Sequence, residues 1–324
     1  MTTPASPSSS SSSSQSSQSS QSSQSSQSSP SSPSSPSSPV SPSSSPVVTT
    51  LTRAPALPPL LARGALLSPL KRPRPDAAFP RTLLLLPGVR AGLARLAAYE
   101  RVCGFPAGES GLPVTYPHLL GFPLAMRLMS GRDFPLPLLG LVHTSITVTR
   151  RAAMPAGEAY DIAVHVAGLA PHRRGTEATV VTEARAGGAV VWESASTYLA
   201  RHRTAPGGGR RPEEEHPPLP ARADWRLAAD LGRRYGAVSG DRNPIHLHPL
   251  TARLFGFPRA LAHGMWTLAR CLAAHGTSEA VSVRAAFRAP VLLPGTVTYG
   301  ARDGRFELRG PDGRPHLTGT VDPA

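Results

Sequence analysis

Between Tyr235 and Ala252 the chain reads Y-G-A-V-S-G-D-R-N-P-I-H-L-H-P-L-T-A, which sets a carboxylate, Asp241, five positions before an imidazole, His246. Gly240, Asn243 and Pro244 forbid a regular helix between them: glycine and asparagine favour turns, and proline has no N–H to donate. A carboxylate and a histidine converging from one rigid loop are the parts needed for general acid–base chemistry near neutral pH. Asp and Asn ahead of a proline are also ordinary turn formers, so His246 is what makes this turn a candidate site. His246 and His248 form an H-x-H pair, but no second ligand cluster of metal-site spacing accompanies it, and no metal or other cofactor is expected.

The elements around this loop must hold it. Trp225 to Tyr235 has the pattern of an amphipathic helix or an entry from strand to helix, and Ala260 to Ala274 is an apolar helix, with alternating segments from Val281, Thr296 and Arg305. Upstream, Ala91 to Val102 reads as a short helix, and His118 to Met129 as an apolar segment that becomes helical after Pro123. Alternation then marks antiparallel strands at His143 to Arg150, Asp161 to Ala167, Thr176 to Arg185 and Ala189 to Ala200, each with one face covered. The order, helices and then a sheet, occurs twice around a Gly-, Pro- and charge-rich linker at 201–221. At an offset of 136, Tyr99, Val102 and Gly104 fall on Tyr235, Val238 and Gly240, while Phe105 stands where the second copy has Asp241 and Ser110 where it has His246. Pro117-His118 is matched in this reading to Ala262-His263. The organisation expected is 1–80 a disordered low-complexity leader, 81–200 a catalytically degenerate repeat, 201–221 a linker and 222–324 a catalytic repeat.

Composition bounds the rest. The first fifty of 324 residues are almost entirely Ser, Gln and Pro and cannot bury enough apolar surface to order themselves. The formal charge of +14 comes almost wholly from arginine, since Lys71 is the single lysine. No nucleic-acid-binding motif or interleaving of aromatic with basic residues accompanies that charge. The apolar run Leu83 to Leu86, closed by Pro87, is far short of the ~20 residues that span a bilayer. Two distant cysteines, Cys103 and Cys271, suit a reducing cytoplasm and buried, non-nucleophilic roles.

Residues Tyr235, Ser239, Gly240, Asp241, Asn243, Pro244, Ile245, His246 and Ala252 resemble the signature of the MaoC-like, R-specific enoyl-thioester hydratases, and His263-Gly264-Met265 is similar to the family at the start of the next helix. The resemblance implies an α+β double hot-dog fold, two repeats each with a long central helix wrapped by a curved antiparallel sheet, covering roughly Arg81 to the C-terminus. It implies reversible hydration of trans-2-enoyl thioesters to (3R)-3-hydroxyacyl thioesters. Asp241 and His246 would hold the water between them and handle its proton and the C2 proton on one face, in either division of the two roles, Asn243 would orient the water or the loop, and the Gly264 N–H would stabilise the enolate oxygen. Ser239, Gly240, His263 and Met265 are the candidate substrate-binding neighbours; His263 also suits a helix-start hydrogen bond, and Met265 and Trp266 a place in the core. The expected substrate carrier is coenzyme A or acyl carrier protein, whose negative charges arginine pairs such as Arg150-Arg151, Arg173-Arg174 and Arg233-Arg234 could meet. A homodimer is compatible with the resemblance; nucleic acid and membrane partners are not expected. The alternatives are a non-catalytic acyl-thioester-binding protein and a hot-dog thioesterase.

Overall fold

The computed structural model describes residues 47–204 and 217–324, so the Ser-rich tail and most of the expected linker lie outside the described residues. The first repeat comprises β2 (Thr82–Arg90), α2 (Leu93–Cys103), α3 (Tyr116–Met129), β3 (Val142–Arg150), β4 (Ala159–His172), β5 (Gly175–Ala186) and β6 (Ala189–Arg201). The second comprises β7 (Ala221–Leu227), α4 (Leu231–Ser239), α5 (Pro244–Leu247), α6 (Pro249–Leu254), α7 (Gly264–His275), β8 (Val281–Phe287), β9 (Gly295–Arg302), β10 (Arg305–Arg309) and β11 (Pro315–Asp322). The strands form one sheet in the order β1-β2-β4-β5-β6-β3-β8-β11-β10-β9-β7, where β1 is Val47–Thr50. Counted within its own repeat, each half runs first, third, fourth, fifth, second, and the halves join antiparallel where β3 meets β8, from Ser145↔Ala286 to Arg150↔Val281. Identical strand order in both halves is the duplication made visible. The central helices lie on this sheet, α3 against β4 and β5 and α7 against β10, and Leu124, Met129, Leu268 and Leu272 are buried there.

Several expectations are corrected. Each repeat opens with a strand rather than a helix: Leu83 to Leu86 belongs to β2, and Trp225 lies in β7, ahead of α4. Helix α3 begins at Tyr116 rather than after Pro123, which sits inside it. The proline removes one intrahelical donor, and burial of Leu119, Leu120 and Leu124 around it holds the helix together.

The segment before Arg81, read from sequence as a disordered leader, carries structure from Val47 onward. Strand β1 pairs in parallel with β2, and α1 (Leu57–Leu67) lays Leu57, Leu60 and Leu61 on the core. Its prolines occupy the first helical turn, where a missing N–H costs nothing. The ammonium of Lys71 donates to the carbonyls of Gly131, Arg132 and Phe134 at 2.8, 2.8 and 2.6 Å, just beyond the end of α3. Among the described residues no helix is long and apolar enough to cross a membrane.

The register of the repeat also changes. Gly104 and Gly240 are both left-handed C-caps, of α2 and α4, which upholds the offset of 136 up to that point. Beyond it, Gly111 bridges Pro155 as Leu261 bridges Leu292, an offset of 150. Between the helix cap and this bridge the second repeat therefore has fourteen residues more, and α5 and α6 lie within that stretch. Ser110 corresponds to Ala260, not to His246, and Thr115, the N-cap of α3, rather than His118, takes the place of His263, the N-cap of α7. The first repeat has lost its candidate histidine because it lacks the segment that carries one.

Candidate active site

Helix α4 ends where Gly240 turns left-handed at φ 83°, a conformation glycine adopts without strain. A Cβ there would also meet the Leu57 side chain at 2.6 Å, so α1 presses directly on the turn. The open carbonyls at the end of α4 accept from Arg95 of α2, at 2.6 Å for Val238 and 3.0 Å for Ser239. The first repeat thus helps fix the loop of the second.

From Gly240 onward the loop is tied by its own side chains. The Asp241 N–H donates to Ser239 Oγ at 3.1 Å, the Asn243 N–H to Asp241 Oδ1 at 3.1 Å, and the Ile245 N–H to Asn243 Oδ1 at 3.4 Å. Asn243 is thereby the N-cap of α5, which supports its loop-orienting role over contact with water. The single turn of α5 delivers His246, whose Nδ1 lies 3.0 Å from the Leu261 carbonyl. A carbonyl can only accept, so the proton sits on Nδ1 and the lone pair is on Nε2. By the same logic His263 carries its proton on Nε2, which donates to the Asp241 backbone carbonyl at 2.9 Å.

The two imidazoles stack with centroids 3.7 Å apart and planes 25° apart. Burial lowers the pKa of His246, against the opposing pull of Asp241 and of the Leu261 carbonyl. Burial and the neighbouring His246 take His263 down to about 3. Both rings are neutral at neutral pH. Asp241, His246 and His263 offer atoms within 4.8 Å of one another, a spacing that a cation could use. The hydrogen bonds assign these atoms otherwise: His263 Nε2, 3.9 Å from Asp241 Oδ2, is a donor, and Asp241 Oδ1 is already an acceptor.

Gly264 opens α7, so its N–H belongs to the first turn, where no intrahelical acceptor exists. A Cβ at this position would stand 3.1 Å from the Phe287 ring, and the absent side chain leaves the N–H open to approach. A cavity of about 30 Å³ adjoins the loop, walled by His118, Leu119 and Phe122 of α3 together with Tyr235, Ser239, Asp241 and Met265. Asp241, Ser239, His263, Met265, His246 and Gly264 are thus brought together as the sequence suggested, while Gly240 serves as the turn behind them. His248 stands apart as the N-cap of α6, its Nδ1 accepting from the Leu250 N–H at 3.2 Å. Trp266 is buried and donates to the Val102 carbonyl, and Cys271 is fully buried in α7. Sequence reasoning missed Arg95, Phe287 and the placement of His118; no motif marks the first two, and His118 was assigned the wrong counterpart.

Fold and site together define a double hot-dog chain whose second repeat brings Asp241 and His246 together. The profile of the MaoC like domain matches residues 213–303. The chain is 39% identical over 237 residues to 3-hydroxyacyl-thioester dehydratase X of Mycobacterium tuberculosis, covering 70% of this chain and 84% of that protein. It is 31% identical over 198 residues to 3-hydroxyacyl-thioester dehydratase Y of the same organism, covering 53% and 68%. The crystal structure of HtdX from Mycobacterium tuberculosis superposes with a TM-score of 0.66 at 35% identity, over 75% of this chain and all of that one. A MaoC-like dehydratase from Phytophthora capsici shares the fold, with a TM-score of 0.59 at 18% identity over 78% of this chain and 98% of that one. The chain belongs to the MaoC-like dehydratase family.

Proposed function

We propose that this chain is a hydro-lyase that interconverts trans-2-enoyl thioesters and (3R)-3-hydroxyacyl thioesters in acyl metabolism. The observation that supports the reading is the fixed tautomer of His246, whose Nδ1–H is held by the Leu261 carbonyl so that Nε2 keeps the lone pair, on a ring that offers an atom within 4.8 Å of the Asp241 carboxylate. In the hydration direction, water held by Asp241 gives a proton to His246 Nε2 as its oxygen bonds to C3. The π electrons of the double bond move toward the thioester oxygen, where the Gly264 N–H donates to the developing enolate. His246 then returns its proton to C2 on the same face, so water adds syn and no other reactant is consumed.

The names of the two dehydratase relatives support this substrate class. The same reading carries coenzyme A or acyl carrier protein as the thioester carrier, Ser239, His263 and Met265 as lining of the substrate site, and one site per chain. It takes 81–200 as the degenerate and 222–324 as the catalytic repeat, in a cytoplasmic protein with free, buried Cys103 and Cys271. The test is loss of enoyl absorbance from crotonyl-CoA. Wild-type protein should turn it over, and Asp241→Asn or His246→Ala should lower kcat by ~10²–10⁴-fold, the usual worth of a general acid or base. Near-normal turnover in either variant removes that residue from the mechanism.

A further inference from the structure

The first repeat has no carboxylate–imidazole pair of its own, yet it brings two histidines to the edge of the site. His118, in the first turn of α3, is only 8% exposed, and its Nδ1 has no hydrogen-bond partner. It shares the cavity of about 30 Å³ with Asp241. His143 of β3 lies nearly parallel to it, ring centroids 6.1 Å apart and planes 11° apart, and the His143 Nε2 is likewise buried without a partner. Tyr198 stacks on His143 at 4.6 Å, and Phe287, the residue facing Gly264, is 4.8 Å from it. Burial takes His118 down to about 4 and His143 to about 3, so both rings are neutral. A neutral imidazole presents one donor and one acceptor. Buried polar atoms are normally satisfied, and an orphan on His118 in the cavity wall, backed by a second on the neighbouring His143 ring outside that wall, marks a place that a ligand completes.

In the pose taken for the proposal, C3 lies at Asp241 and His246, the thioester oxygen at Gly264, and the acyl chain beyond the double bond runs toward His118 on the α3 side of Asp241, where the cavity of about 30 Å³ marks the start of its path. We propose that His118 and His143 form a hydrogen-bonding subsite for an oxygen substituent on that part of the chain, so that the preferred substrates are oxygenated enoyl thioesters. The proposal rests on the enoyl-thioester reading above. A plain alkyl chain passing His118 would leave both nitrogens unpaired, the situation in which a site built for a hydroxyl discriminates against the analogue without one.

The test compares kcat/KM for trans-hex-2-enoyl-CoA and its 5-hydroxy derivative. The wild-type protein should prefer the hydroxylated substrate by about tenfold or more, the worth of roughly one hydrogen bond. His118→Leu should bring the ratio near one, and His118→Gln, which keeps a donor and an acceptor, should retain part of the preference. Equal values in the wild-type protein, or an unchanged ratio in His118→Leu, overturn the subsite. The wild-type comparison needs no variant to fold. Turnover of neither substrate would instead overturn the hydro-lyase reading, and the subsite with it.

Discussion

The Nε2–H of His263 donates to the backbone carbonyl of Asp241 at 2.9 Å, tying the start of α7 to the residue that follows the end of α4. His263 is 3% exposed, so the bond is made where water cannot replace it. Replacing His263 by alanine leaves a buried carbonyl without its donor, at a cost of ~1–3 kcal/mol, and frees Asp241 to drift. We expect kcat to fall ~10–100-fold, because small misplacements of a catalytic group are costly. Steady-state kinetics with urea denaturation checks this, and wild-type kcat in His263→Ala would contradict it.

Protonation works against both stability and activity. The folded values for His118, about 4, and for His143 and His263, about 3, all lie below the ordinary 6.5. Above pH 6.5 neither folded nor unfolded chain binds these protons. Below it the unfolded chain binds them first, so stability falls as pH drops toward about 4, with a limiting slope of ~1.4 kcal/mol per pH unit for each histidine. Because burial also lowers His246, kcat/KM should stay level through pH 6.5 and fall only below it. Urea unfolding at a series of pH values checks the first claim, and a pH–rate profile the second, which an activity limb at or above 6.5 would refute.

Gly264 has two reasons to be glycine, access to its N–H and the Phe287 ring 3.1 Å from where a Cβ would stand. Gly264→Ala should lower kcat more than it raises KM, with a loss of ~10²–10³-fold if the oxyanion donor is displaced. Adding Phe287→Leu relieves the steric part, so kinetics of the double variant should recover some of the rate. No recovery would place the whole effect in access to the N–H.

Lys71, the one lysine of the chain, closes three carbonyls past α3 although it comes from a segment with the composition of a leader. The site is partly open to water, so Lys71→Met should cost only ~1–2 kcal/mol and lower Tm by about 2–8 °C for a domain of this size. Calorimetry gives the value directly, and an unchanged Tm would show that the Lys71 end of the segment contributes nothing to holding the fold.

What could be read from the residues was the chemistry and the regular strands. Asp241, Asn243, Pro244 and His246 sit close together on one loop, so their geometry follows from local turn rules. Strands β3 to β6 alternate β-branched with polar residues and were visible for that reason. Strand β2 was hidden because Pro87 and Gly88 close its leucine run, and the structure shows a bulge there, between Leu86 and Val89. Strand β11 was hidden by Gly319, where Phe306 and the Arg284 backbone leave no room for a Cβ. The fourteen extra residues between Gly240 and Leu261 escaped because an ungapped offset still matched tyrosine, valine and glycine before the extra segment began. His118 escaped because its neighbour in space, Asp241, belongs to the other repeat.

Hydration of trans-2-hexenoyl-CoA in D₂O, with the product's configuration at C2 and C3 read by NMR and chiral chromatography, tests the account most directly. One Asp241/His246 centre acting on one face predicts a (3R)-3-hydroxyacyl product with deuterium added syn at C2, formed by wild-type protein and lost in His246→Ala. A (3S) product, or anti addition, would contradict it.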